Sequence, residues 1–209
     1  MAGEVADALH ARAQTGDRDA LAELFALFRP RLRSMLQLRM DPRLRRRVDP
    51  SDVLQETFLE ASNRLDRYLE EQRMPLFLWV RFLASQKLLE AHRRHLGAQR
   101  RDARREVRLH AGPEASSLSI AQHLMGHFTS PTQGVRRMEI RQKLERTLEA
   151  MDPIDREVLT LRHFEELSNN EVAAVLDLTK AGASRRYLRA LKRLRAIVTG
   201  DLGLLGGSA

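Results

Sequence analysis

Between Thr179 and Arg195 stand seven basic residues, Lys180, Arg185, Arg186, Arg189, Lys192, Arg193 and Arg195, with no acidic side chain among them. Their chemistry is recognition and not bond making: guanidinium and ammonium groups at helical spacing suit phosphate oxygens, and the first turns of such a helix can face base edges. Thr179 stands where an N-cap belongs, and Ala183, Tyr187, Ala190, Leu191 and Leu194 recur as the buried stripe. Just upstream, Ser168 and Glu171 have capping-box spacing, and Val172, Val175, Leu176 and Leu178 give their helix an apolar face. Asp177 falls in the connecting turn, where Gly is commoner but Asp tolerates left-handed backbone. Two helices, a tight turn and a one-sign second helix read as a helix-turn-helix. The competing reading is a solvated basic face on an ordinary helical hairpin.

A second constellation has the opposite sign. At about 100° per residue, Asp52, Glu56, Glu60 and Asn63 share one side of a helix whose other side carries Val53, Leu54, Phe58, Ala61, Leu65 and Tyr68. An acidic stripe on a basic protein suits a basic protein surface and not nucleic acid, against the plainer reading of a solubilising face. A further helix, from about Leu76 to His92, has Arg81 and Lys87 among large apolar side chains. Core packing accounts for most of its aromatics, and Trp79, near the helix start, is the one placed to stack on an unpaired base.

Those elements sit in a chain of 209 residues with a net charge of +8, a pI near 10.8 and 43% hydrophobic residues. Few aromatics and long Leu/Ala/Arg/Glu segments predict an all-α protein of two small domains, and the charge favours a polyanionic partner. Without cysteine there is no disulfide, thiolate metal site or cysteine nucleophile. His123 and His127 are four apart, with His92, His95 and His110 in the same part of the chain, yet no carboxylate lies within three residues of that pair. Phosphate-loop and nucleophile-elbow motifs are also missing. No metal, cofactor or catalytic residue is expected. The amino terminus has no targeting pattern and no segment is apolar enough for a membrane span, which predicts a soluble, cytoplasmic protein.

Periodicity divides the chain into an amino-terminal helical domain, 1–96, a linker, 97–134, a carboxy-terminal helix-turn-helix domain, 135–200, and a disordered tail, 201–209. Asp17 and Asp49 or Ser51 are candidate caps in the first domain, with Pro30 inside a helical pattern. An arginine-rich run, Arg93 to Arg108, leads across the boundary into the linker, which continues rich in Gly, Pro, Ser and Thr and has room for short helices. Asp152-Pro153 starts a helix in the second domain.

The passages DPSDVLQETFLEASNRLDRY, FLWVRFLASQKLLEAHRR and LEAMDPIDREVLTLRHFEELSNNEVAAVLDLTKAGASRRYLRALKRL together resemble bacterial RNA polymerase sigma factors of the extracytoplasmic-function group. The resemblance implies a dissociable initiation subunit that binds core RNA polymerase and directs promoter-specific transcription. On matching positions, Asp52, Gln55, Glu56, Thr57, Glu60 and Asn63 would bind the clamp coiled coil of the polymerase. Trp79, Arg81, Lys87, Arg93 and Arg94 would bind and melt the minus-ten element. Thr179, Lys180, Ser184, Arg185, Arg186, Arg189 and Arg193 would read the minus-thirty-five element. An anti-sigma protein or other regulator is an implied further partner. The sequence departs from the family at Asp177, at Ala181-Gly182-Ala183-Ser184 and at Gln86-Lys87. The competing functions are a free-standing helix-turn-helix regulator and, from another class, a metal-dependent enzyme.

Overall fold

The computed structural model describes residues 2–96, 113–126 and 134–202, which form two compact units, Met1–Pro113 and Glu114–Ala209. Among the described residues all regular structure is helical. The arginines between 97 and 112, His110, His127 and the tail beyond Leu202 lie outside that description.

The first unit contains α1 (Ala2–Gln14), α2 (Arg18–Arg39), α3 (Pro50–Glu71) and α4 (Leu76–Leu96). Asp17 caps α2, its Oδ1 accepting from the amides of Asp19 (2.9 Å) and Ala20 (3.0 Å). Gly16, at φ +87°, makes the bend that delivers it. Pro30 lies within α2 without ending it. Asp49 caps α3 by accepting from Ser51 N (2.7 Å), and Asp52 reaches back to Asp49 N (3.3 Å) to close a capping box. α3 stops at Gln72 in left-handed backbone, and Tyr68 donates its hydroxyl to Met74 O (2.9 Å) across the turn to α4. Helices α2, α3 and α4 pack on one another around Leu21, Leu24, Leu32, Leu36, Leu54, Leu65, Val80, Leu83 and Leu88, with α1 against α2. Burying each such side chain contributes roughly 1.5–3 kcal/mol, so this core fixes the faces that α3 and α4 turn outward. At the end of α2, Arg39 Nη1 donates to Pro113 O (2.8 Å).

The second unit contains α5 (Ser117–Gly126), α6 (Gly134–Glu149), α7 (Pro153–Leu159) with a π-helical turn Thr160–Phe164, α8 (Asn169–Leu176) and α9 (Lys180–Leu202). α5 lies within the stretch read from sequence as linker. It is folded against α6, with Ile120, Ala121 and Met125 buried. The stability of so short a helix comes from that burial and not from its own propensity. Asp152 caps α7 through Ile154 N (2.8 Å) and Asp155 N (3.3 Å), with Pro153 at the first helical position. In the π turn, Glu165 N donates to Thr160 O (3.3 Å), and Glu166 follows at φ 55°. Ser168 and Glu171 form the expected capping box of α8.

Candidate nucleic-acid interface

The interface on α9 is built from its start. α8 ends at Asp177 with φ 53° and ψ 50°, the left-handed conformation that the turn requires. Thr179 Oγ1 then accepts from Gly182 N (3.0 Å), and Asn169 Nδ2 donates to Lys180 O (2.9 Å), so α8 holds the first turn of α9. A Cβ at Gly182 would lie 3.0 Å from Thr179 Oγ1, so the missing side chain leaves room for the cap. Ala183, Ala190 and Leu194 are buried. Thr179, Lys180, Ala181, Ser184, Arg185, Leu188, Arg189, Lys192 and Arg193 are exposed.

The basic residues of α9 divide into two groups. Arg186 Nη1 bonds to Asp155 Oδ1 (2.6 Å) and Asp152 Oδ1 (3.2 Å), while Arg189 Nε stands 3.4 Å from Asp155 Oδ2. Asp155 is 0% exposed. It gives two arginines a buried anchor on α7. Burial alone would raise the Asp152 carboxyl, but the backbone donors of Ile154 and Asp155 and the nearby Arg186 and Arg189 outweigh it and hold the carboxyl below its usual range. Arg193 Nη1 reaches Ala150 O at 3.4 Å. Arg186, expected among the DNA contacts, is half-buried and joins α9 to α7. Lys180, Ser184, Arg185 and Lys192 keep the outward position, and Arg189 and Arg193 are exposed but share their charge with the scaffold.

In the first unit, α3 presents Asp52, Gln55, Glu56 and Asn63 outward. Glu60 is half-buried and ion-paired with Arg64 and, at 3.5 Å, with Lys87 of α4. Thr57 does not join the outward set: it is fully buried and donates its hydroxyl to Val53 O (2.7 Å). Its position one turn from both Val53 and Ala61 puts it on the core side. Leu59 is 61% exposed among the polar residues of this face, a position that the search for charges passed over. Counting 100° steps from Leu54 would have shown it opposite the core stripe.

On α4 the five predicted residues also divide. Arg81 is 1% exposed and is corrected from a DNA contact to a core residue, on the same side as Phe77, Ala84 and Leu88. Trp79 is half-buried with its ring stacked on Tyr68, centroids 4.4 Å apart at 24°. Lys87 stands between Glu60 and Glu90 (3.1 Å). Desolvation would lower its pKa, and the two carboxylates overcome this and raise it. Arg94 lies 3.6 Å from Glu56, and Arg93 is exposed. On α9, Leu188 was likewise missed: it is 64% exposed, one turn beyond Ser184 and Arg185.

His123 Nδ1 lies 2.8 Å from Ser119 O and its ring meets Phe164 edge-on. Among the described residues no group of three or more His, Cys, Asp or Glu is placed to hold a metal ion, and no helix is long and apolar enough to cross a membrane.

Comparison with known proteins bears on the family of the whole chain. Residues 141–194, which run from α6 into α9, match the family described as Sigma-70, region 4. The whole chain is similar to the ECF RNA polymerase sigma factor SigD of Mycobacterium tuberculosis, 30% identical over 203 residues covering 96% of this chain and 88% of that one. It is also similar to the RNA polymerase sigma factor CarQ of Myxococcus xanthus, at 27% identity over 92% of this chain and 97% of the relative. Among solved structures, CnrH in its complex with the cytosolic domain of CnrY shares the fold, with a TM-score of 0.53 at 23% identity over 94% of this chain and 99% of that chain. With that degree of identity to SigD over nearly the full length of both chains, the protein belongs to the ECF RNA polymerase sigma factors.

Proposed function

We propose that the two units divide the work of an alternative sigma factor: the first binds core RNA polymerase through α3 and the minus-ten element through α4, and the second reads the minus-thirty-five element through α9. The observation that carries this reading is the division of α9, whose capped start and buried Asp155 anchor leave Lys180, Ser184, Arg185, Leu188 and Lys192 turned outward on one helix. A helix held this way can enter a major groove with its first turns at base edges and its cations on phosphates. On α3 the acidic and apolar residues Asp52, Glu56 and Leu59 fit a basic protein surface with an apolar pocket, and the clamp coiled coil is the assigned partner.

The chain performs no bond chemistry in this reading. Promoter opening draws on binding free energy: one captured base stacked on an aromatic ring is worth roughly 1–3 kcal/mol, set against a few kcal/mol for unpairing. Trp79, with Tyr68 behind it, supplies the aromatic platform on α4, and Lys87, Arg93 and Arg94 supply charge. The site of action is the cytoplasm, where polymerase and promoter DNA meet, and an anti-sigma protein is a further partner, as the CnrH relative is held by the cytosolic domain of CnrY.

The test is gel filtration of the purified chain with bacterial core RNA polymerase, followed by run-off transcription from genomic fragments. Co-elution with promoter-specific transcripts is expected. Specific DNA binding by the chain alone, without association with the polymerase, would instead favour a free-standing regulator.

A further inference from the structure

The turn that joins α2 to α3, residues 41–48, holds four arginines, Arg43, Arg45, Arg46 and Arg47, and one carboxylate, Asp41. All four arginines are exposed. The turn beneath them is held at several points. Leu44 is fully buried, its amide donates to Asp41 O (2.9 Å), and its carbonyl accepts from Arg47 N (2.8 Å) and Val48 N (3.0 Å). Asp41 Oδ1 accepts from Arg43 N (2.8 Å). A buried leucine at the centre and closed backbone bonds around it fix where the guanidinium groups emerge.

The turn is also tied to its neighbours. Arg45 Nη2 donates to Gln37 O of α2. Asp41 N donates to His92 Nε2 of α4 (3.2 Å), and Arg47 Nη1 donates to His95 O (3.1 Å). At that end of α4, residues 91–96 add Arg93 and Arg94, both exposed, and no carboxylate. Two segments distant in sequence thus present arginines on one surface. Asp41 pairs with Arg43 (3.0 Å) and Glu56 stands 3.6 Å from Arg94, so part of the charge is answered within the fold. A guanidinium has more donor hydrogens than one such pair uses, and the rest suit a further acceptor. Like charges crowded on a surface oppose the compact state and favour a polyanion that covers them.

The kind of polyanion follows from the apolar residues. The centre of a protein docking site draws on apolar anchors, and the acidic face of α3 has one in Leu59. Among the described residues, neither the turn nor the last turns of α4 carry an exposed large apolar side chain. A phosphate backbone asks only for charge and donors.

We propose that the turn at residues 41–48 is a second DNA-backbone site of the first unit, in which Arg43 and Arg46 contact duplex phosphates beside the element that α4 engages. Arg45 and Arg47 hold the turn against α2 and α4. The inference rests on the assignment of α4 to the minus-ten element. The turn reads no base: it fixes register and adds salt-dependent affinity whatever sequence α4 selects.

The test is promoter binding by the full chain assembled with core RNA polymerase, measured from about 50 to 200 mM salt on a duplex carrying both elements. Arg43→Gln combined with Arg46→Gln should make log affinity against log salt less steep by about two, at about 0.9 per phosphate, so the gap from the unaltered chain narrows about 10-fold over that range. Arg46→Lys should keep the slope. Co-elution with core polymerase and the urea midpoint should not change in the double variant; if the midpoint falls, Arg46→Gln alone decides, with an expected slope change of about one. An unchanged slope overturns the proposal. Loss of co-elution with an unchanged slope also overturns it, and would assign the turn to an acidic protein surface. Failure of the unaltered chain to co-elute would overturn the sigma reading beneath it, and the backbone site with that reading.

Discussion

The cations of α4 and those of α9 come from the same residue types, yet the two helices use them differently. On α4, Lys87 and Arg94 face carboxylates of the very helix proposed to bind polymerase, so their charge is shared along the surface between α3 and α4. On α9, the neutralising carboxylates are gathered at one place, Asp152 and Asp155 on α7, which takes Arg186 and Arg189 and leaves Lys180, Arg185 and Lys192 for a partner. Dispersed pairs between exposed groups are worth little, about 0–1 kcal/mol, whereas a fully buried carboxylate binds its partners into the fold. One surface is electrostatically soft. The other is a buried anchor with a separate outward face.

The largest departure should come from removing that support. Asp155→Asn leaves Arg186 and Arg189 without their buried carboxylate, and the second unit should lose about 2–3 kcal/mol, read as a lower urea midpoint for the full chain. An unchanged midpoint would place α9 in the same soft class as α4. Next, Arg186→Ala and Arg185→Ala should separate. The first should lower stability by about 1.5–3 kcal/mol, while the second should change it by less than about 0.5 kcal/mol yet reduce the salt slope of promoter binding by about one. Equal stability losses would erase the distinction between anchor and reader.

On the soft side, Glu60→Gln should cost the first unit under about 1 kcal/mol in the same unfolding assay, since Lys87 retains Glu90. A loss as large as that from Asp155→Asn would show that the α3–α4 pairs are structural after all. The smallest expected effect is a pH dependence confined to the first unit. Desolvation lowers the pKa of His92, whose Nε2 accepts from Asp41 N (3.2 Å). The unfolded chain, with an ordinary value of about 6.5, binds its proton first on acidification. This contribution is therefore fully present above about pH 6.5 and is lost as pH falls through the folded value. His92→Gln should flatten the decline in stability between pH 7.5 and 5.5, and an unaltered slope would remove His92 as its source.

What the sequence disclosed follows the range of the interactions. The caps at Asp17, Asp49, Asp152, Ser168 and Thr179 depend on donors two or three residues away, and each was readable. The turn at Asp177 was readable for the same reason. The tie of Arg186 to Asp155 was not readable, because that carboxylate lies 31 residues away on another helix, where spacing carries no signal. α5 was obscured by its Gly-, Pro- and Ser-containing flanks and by partners on α6 and α7. Thr57 and Arg81 are different cases. Family position supplied their residue types, but counting turns from Val53 and Phe77 would have put both inside, as it would have put Leu59 and Leu188 outside.

Asp155, buried on α7, holds Arg186 of α9 by a 2.6 Å hydrogen bond and has Arg189, one turn on, within ion-pair distance, so a roll of α9 in its seat would cost the Arg186 bond. In the proposed role, new promoter preferences would then be easier to acquire by exchanging the outward residues Ala181, Ser184, Arg185 and Leu188, none of which the core of the second unit requires, than by retilting the helix. On the proposed function, Asp155 would make target choice replaceable text on a fixed page: duplicated copies of such a chain could diverge in what they read while keeping the same folded support.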